Sequence, residues 1–264
     1  MSRWLPAARG LLEASLAALF PADCFLCGEP LPWRQRGSVC LPCWAALPWA
    51  PGLRIRPGPL RAVLWAADYD GAIRSLVHGL KFESMDYLGD HLGAAMAARL
   101  APLLLGANPS LAPETAPVPR HAAARGPRRE AAPVPRPDMI VPVPLHWWRR
   151  GRRGYNQALL LAAPLSRATS LPLVPRFLVR RRAGRRQLGL SRRDRLRSLE
   201  GCYLARRVAA SWPRRVSLAG RTVLLVDDVV TTGATLEACA RALLRAGAGA
   251  VVACVLARTR RGGG

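Results

Sequence analysis

The chain reads as an α/β protein: a mainly parallel sheet flanked by helices, with a small cysteine-bearing module ahead of it. Three observations carry that reading. Short apolar runs alternate with stretches of helix length over most of the sequence. One of these runs, Val223 to Val226, stops abruptly at Asp227-Asp228 and is followed by a hydroxyl-rich turn centred on a glycine. Four cysteines near the amino terminus fall in two Cys-x2-Cys pairs. With 264 residues, 50% of them apolar, the chain can bury one substantial core plus an appendage.

Leu12, Leu16, Leu19 and Phe20 recur at helical spacing and predict an amphipathic helix that packs on the cysteine module or the main domain. Glu13 interrupts the apolar stretch from Leu11 to Phe20, which is too short to span a bilayer and does not read as a secretion signal. Residues 1–50 are thus expected to hold this helix and a cysteine ribbon. A Pro/Gly-rich joint from Pro48 to Pro59 leads to a strand at Val63 to Tyr69 and helices at Ala72 to Lys81 and Met85 to Leu104, making residues 60–104 the first part of the main domain. Residues 105–138 are rich in proline, alanine and arginine without apolar periodicity, and predict a disordered or weakly extended insertion. The rest of the core, 139–264, begins with a strand at Met139 to Val143 and a helix near Asn156 to Ala168. Strands follow at Leu173 to Val179, Tyr203 to Ala205, Val223 to Val226 and Ala250 to Leu256, with a helix from Leu236 to Ala246 ended by Gly247.

The run Val223 to Val226 suits a strand covered on both faces. Asp227 and Asp228 then stand at the carboxyl end of that strand, where open α/β sheets bind ligands, and adjacent carboxylates can accept hydrogen bonds from neighbouring sugar hydroxyls. In Thr231 to Thr235 a glycine among hydroxyl residues lets backbone N–H groups converge on an anion at the start of a helix. The segment lacks the Gly-Lys-Ser/Thr ending of a P-loop and the Gly-x-Gly-x-x-Gly of a dinucleotide fold. A plainer reading is a strand followed by a helix capped by Thr231 or Thr232, with solvated aspartates. The segment resembles the phosphoribosyl-pyrophosphate (PRPP) motif of type I phosphoribosyltransferases. That resemblance implies that Asp227 and Asp228 contact the ribose 2′ and 3′ hydroxyls, while Thr231, Thr232, Gly233, Ala234 and Thr235 cradle the 5′-phosphate.

Cys24-x2-Cys27 and Cys40-x2-Cys43 can close one tetrahedral zinc site, each pair presenting two sulfurs on a tight knuckle, with Gly28 supplying backbone freedom. Such a site has no open position and is structural. The alternatives are two disulfides or a thioredoxin-like redox pair, which Pro30, Pro32, Pro42 and Pro48 oppose. Cys202, Cys239 and Cys254 lie in apolar surroundings and read as inert core thiols; seven cysteines without a secretion signal fit a reducing cytoplasm.

The formal net charge is +24, and Trp147 to Arg207 alone carries 17 arginines against Asp194 and Glu200. Such a field attracts polyanions, although 39 of the 40 basic residues are arginine, so compositional bias is the competing reading for part of the excess. Lys81 is the only lysine, which points either to a place where a compact ammonium is needed and a guanidinium does not fit or to chance survival of one lysine. Arg149, Arg150, Arg152 and Arg153 surround two glycines just after a predicted strand, a composition able to wrap a pyrophosphate with forked donors, with Lys81 as a further candidate. The competing readings are a solvated basic turn and a nucleic-acid patch in which Trp147, Trp148 and Tyr155 stack on bases. Arg180 to Arg197, with Arg185, Arg186 and Gln187 at its centre, reads as a mobile basic loop able to close over an anion.

Taken together, the chain resembles the bacterial ComF family, which joins an amino-terminal cysteine ribbon to a type I phosphoribosyltransferase-like domain. The residues that carry the likeness are the ribbon, Asp70 to Phe82, Val141-Pro-Val-Pro144 with Arg153-Gly-Tyr-Asn-Gln157, Gln187 to Leu199, and the PRPP loop; Ser198 departs from the asparagine usual there. The resemblance implies Mg²⁺-PRPP as substrate, a phosphoribosyl transfer that releases pyrophosphate, and an association with DNA uptake in natural competence. The acceptor is not legible. A second expectation, of a different class, is a non-catalytic competence factor that uses the fold as a scaffold for single-stranded DNA or for the uptake machinery.

Overall fold

A computed structural model describes residues 23–31, 39–82, 85–106, 134–145, 154–181, 199, 201–206, 208–211 and 214–260. The helix expected around Leu12, Leu16, Leu19 and Phe20 and most of the proline-rich insertion lie outside these residues. The two ends of that insertion meet, because a Cβ on Gly106 would come within 3.1 Å of Arg136 Nη2.

A short helix, α1 (Leu41–Ala45), forms part of the second cysteine knuckle and is capped by Cys40. Next come β1 (Trp49–Ile55), β2 (Ala62–Asp68), α2 (Gly71–Phe82) and α3 (Tyr87–Leu104). The chain continues with β3 (Met139–Pro142), α4 (Gln157–Thr169), β4 (Leu178–Arg180), β5 (Tyr203–Ala205), β6 (Val208–Ser211), β7 (Arg214–Ser217), β8 (Thr222–Val230), α5 (Ala234–Arg245) and β9 (Ala250–Arg258). The main sheet has the order β1-β2-β9-β8-β3, and every neighbouring pair except β1–β2 is parallel. This is the α/β architecture that the alternating pattern predicts.

The central strands are apolar throughout because both faces are covered. On one face Leu64, Ile140, Leu224, Val252 and Cys254 pack against Leu76 and Leu80 of α2, Leu92, Met96 and Leu100 of α3, and Leu161 and Leu165 of α4. On the other, Val63, Val141, Leu225, Val251 and Val255 meet Leu236, Cys239 and Leu243 of α5 and Tyr203 of β5. Cys202, Cys239 and Cys254 are buried and in no disulfide; burial pushes the thiols of Cys239 and Cys254 up.

Several boundaries differ from the sequence expectation. The joint from Pro48 to Pro59 contains a regular edge strand, β1, whose register shifts between Trp49 and Gly52. Proline is compatible with an edge or bulge position. Gly52 is required there, since a Cβ would fall 2.3 Å from the Trp65 ring. β8 runs four residues past Val226, so the acidic pair lies within a strand rather than beyond its end. Of the strand expected at Leu173 to Val179, an isolated bridge at Leu173 and the short β4 remain. The β6–β7 hairpin has no counterpart in the sequence reading. Among the described residues, no helix is long and apolar enough to cross a membrane.

Candidate functional site

The carboxyl ends of the parallel strands gather the predicted chemistry on one edge of the sheet. In β8, Asp227 pairs with Val255 of β9, and the ladder continues to Val230 opposite Arg258. Asp228 donates its backbone N–H to Asp227 Oδ1 at 2.9 Å. Burial, with the neighbouring Asp228 carboxylate adding to it, pushes the Asp227 carboxyl up to about 8, against the pull of Lys81 and Arg180. Two carboxylates this close resist ionising together. The compensating cation is Lys81, in the last turn of α2, whose Nζ lies 3.0 Å from Asp228 Oδ1. Lys81 thus joins the acidic pair directly.

Past Val230 the chain bends through Thr231 and Thr232 to Gly233, which takes a left-handed conformation (φ 79°) and caps α5. Thr232 Oγ1 accepts a 3.4 Å hydrogen bond from the N–H of Ala234, and Ala234 and Thr235 form the first helical positions. The arrangement points the amino-terminal end of a helix, with N–H groups that have no partner inside the helix, toward the edge that carries the acidic pair. Gly233 is held from above as well: a Cβ there would meet Arg56 Nη1 at 2.8 Å. Arg56, which also lies 3.9 Å from Glu237 Oε2, follows β1, and the sequence reading missed it. One of two arginines in a Pro/Gly-rich stretch of a chain with 39 arginines carries no local signal.

A second unanticipated group ties off the neighbouring strands. Asp68 at the end of β2 accepts from Arg258 Nε at 3.1 Å and from Arg260 Nε at 2.8 Å, while the Arg258 guanidinium stacks 3.8 Å over the Trp65 ring. Burial would raise the Asp68 carboxyl, but the two arginines outweigh it and hold it below its usual range. Arg149, Arg150, Arg152 and Arg153, and Arg185, Arg186 and Gln187, lie outside the described residues. What flanks them is described. The first group is bracketed by Leu145 and Gly154, between β3 and α4. The second leaves the antiparallel β4–β5 pair after Arg180, whose charge acts on Asp227.

The four cysteine sulfurs Cys24, Cys27, Cys40 and Cys43 lie within 4.8 Å of one another, and all are free thiols. Gly28, with φ 77°, closes the first knuckle through its N–H to Cys24 O at 2.8 Å. The second knuckle is the start of α1, where the N–H of Cys43 reaches Cys40 Sγ at 3.5 Å. Cys27 Sγ and Cys40 Sγ are 3.7 Å apart. A tetrahedron with bonds of ~2.3 Å to sulfur has an edge of about 3.8 Å, so the cluster has the dimensions of a four-thiolate metal centre. Burial alone would raise the Cys24 thiol; N–H groups of Cys40, Cys27 and Leu26 bring it down to about 6. Cys43, sharing hydrogen bonds with Cys40 and Cys27, is pushed up to about 12.

The family model for the phosphoribosyl transferase domain matches residues 156–264, the part that holds β8, the loop and α5. The DNA utilization protein YhgH of Salmonella typhi is 32% identical over 256 residues, spanning 90% of this chain and 98% of its own. The chain belongs to the ComF family. The YhgH protein of Escherichia coli K12, 30% identical over 263 residues, covers the same shares of both chains. Competence protein F of Haemophilus influenzae is 39% identical over 111 residues, 42% of this chain and 46% of its own.

Proposed function

We propose that the acidic pair, the loop after it and Lys81 form a binding site for Mg²⁺-PRPP, and that the protein transfers the phosphoribosyl group to an acceptor with release of pyrophosphate. The observation that carries this reading is the convergence, at one sheet edge, of two adjacent carboxylates, a left-handed glycine at a helix start and an ammonium from a distant part of the chain. In this reading Asp227 and Asp228 accept hydrogen bonds from the ribose hydroxyls, and N–H groups from Thr231 to Thr235 take the 5′-phosphate. Lys81, with Arg149, Arg150, Arg152 and Arg153, meets the pyrophosphate, and the segment bearing Arg185, Arg186 and Gln187 closes over the bound anion. The bond from C1 to pyrophosphate breaks, its electron pair leaves with the pyrophosphate, and a lone pair of the acceptor forms the new bond to C1. Mg²⁺ arrives with PRPP and neutralises part of the leaving group's charge. Because the transition state resembles an oxocarbenium ion, ordered positive groups contribute more than a dedicated base would.

The cysteine cluster reads as a structural zinc site in which Cys24, Cys27, Cys40 and Cys43 fill every tetrahedral position, leaving none for a substrate. The free cysteines support a reducing, cytoplasmic setting. A second reading has specific support: relatives named for DNA utilization and competence, together with the arginines between Trp147 and Arg207, favour a scaffold that binds single-stranded DNA. Titration with Mg²⁺-PRPP and with single-stranded DNA, each at two salt concentrations, separates the two. Saturable PRPP binding supports the transferase reading. Steeply salt-dependent DNA binding without affinity for PRPP supports the scaffold.

A further inference from the structure

The turn that opens α4 makes three hydrogen bonds unlike those of an ordinary helix start. Asn156 accepts from the N–H of Ala158 at 3.2 Å, which is simple capping, but its Nδ2 also donates to Val143 O at 3.1 Å. The residues on either side reach elsewhere. Tyr155 donates its hydroxyl to Leu80 O at 2.7 Å, and Gln157 Nε2 lies 3.5 Å from the same carbonyl. Gln157 is 1% exposed, a buried amide that needs a partner.

Both anchor points adjoin the candidate site. Leu80 immediately precedes Lys81 in the last turn of α2, where carbonyls have no partner within the helix. Val143 donates its own N–H to Val226 O at 2.9 Å, one residue before Asp227. Three consecutive side chains thus tie the backbone behind Lys81 to the backbone behind the acidic pair. A lysine side chain has four rotatable bonds, and a fixed helix end is what lets its ammonium rest on one carboxylate oxygen.

We propose that Tyr155 and Gln157 are positioning residues that hold the last turn of α2 so that Lys81 stays on Asp228. The proposal rests on reading Lys81 as part of the PRPP site, but its test runs in the free protein. Since Lys81 is the only lysine, amine-selective acylation followed by peptide mass spectrometry reads its availability alone. Tyr155→Phe keeps the ring and removes the hydroxyl; it should accelerate acylation of Lys81 by about fivefold, the factor one ordinary hydrogen bond sets. Gln157→Met and Asp228→Asn should act in the same direction. Ser166→Ala deletes a hydrogen bond to Leu171 O in the last turns of α4, and should leave the rate at the wild-type value even if it lowers the melting temperature. Wild-type rates in Tyr155→Phe, or an equal rise in Ser166→Ala, would overturn the proposal. A second arm adds Mg²⁺-PRPP. If the variants show faster acylation but PRPP protects Lys81 in none of the proteins, the positioning role stands and the PRPP reading falls.

Discussion

At the cysteine cluster, four sulfurs are carried by two short knuckles, and the helix that forms part of the second has no buried residue of its own. At the carboxyl end of β8, by contrast, the acidic pair sits in a strand bonded to β9, and the turn after it runs straight into a buried helix. On the zinc reading the first region takes its shape from its ligand, whereas the second has its shape supplied by the sheet. Loss of a ligand or one side chain should therefore act on stability in the first case and on affinity in the second. The regions are also joined. Cys24, Leu31, Val39 and Leu47 belong to the same apolar cluster as α2 and α3, and a Cβ on Gly79 of α2 would touch the Phe25 ring.

The largest effect should come from the metal. Elemental analysis of protein made under reducing conditions is expected to find one zinc per chain. Chelation or Cys24→Ala should lower the melting temperature by roughly 10 °C, since metal binding contributes several kcal/mol and each shifts a chain of this size by about 2–4 °C. A metal-free protein with an unchanged melting temperature would remove the contrast. Next in size is Gly233→Val, which forces a branched side chain into a left-handed turn beneath Arg56. Mg²⁺-PRPP affinity should drop below detection by calorimetry while the melting temperature moves less than in Cys24→Ala.

Neutralising Arg185 and Arg186 sharpens the comparison with the DNA reading. A closing loop loses PRPP affinity or turnover, with little change in the salt dependence of DNA binding. A DNA-contacting face instead loses about 0.7 from the log K against log [salt] slope per phosphate contact. A further effect concerns pH. Below about pH 4 the Asp227 carboxyl is neutral in folded and unfolded chains alike; as the pH rises toward 8 the unfolded chain gives up this proton and the folded one keeps it. Its contribution to stability is therefore lost over that window. Asp227→Asn should gain on the wild type in denaturation midpoint as the pH climbs from 4 to 8, and the gain should flatten beyond.

Legibility in the sequence followed locality. The Val223 to Thr235 segment could be read because strand, carboxylates, glycine and helix start are contiguous, and the cysteine pairs because metal ligands keep a fixed spacing. β1 escaped because an edge strand tolerates the proline and glycine that elsewhere mark a joint, and its Gly52 is explained only by the Trp65 ring across the sheet. Lys81 stood out by rarity, yet nothing near it in the chain says that it rests on Asp228. Arg56 and the Arg258–Asp68–Arg260 group were hidden among many like residues, and only the fold selects them.

The most direct measurement is calorimetric titration of Mg²⁺-PRPP into the wild-type protein and into the Asp227→Asn, Asp228→Asn double variant, with circular dichroism confirming that both are folded. The account predicts saturable binding to the wild type, weakened by about 2–4 kcal/mol in the variant, from ~1.5–3 kcal/mol per charge-assisted hydrogen bond with allowance for non-additivity. Equal affinity in the two proteins would contradict it.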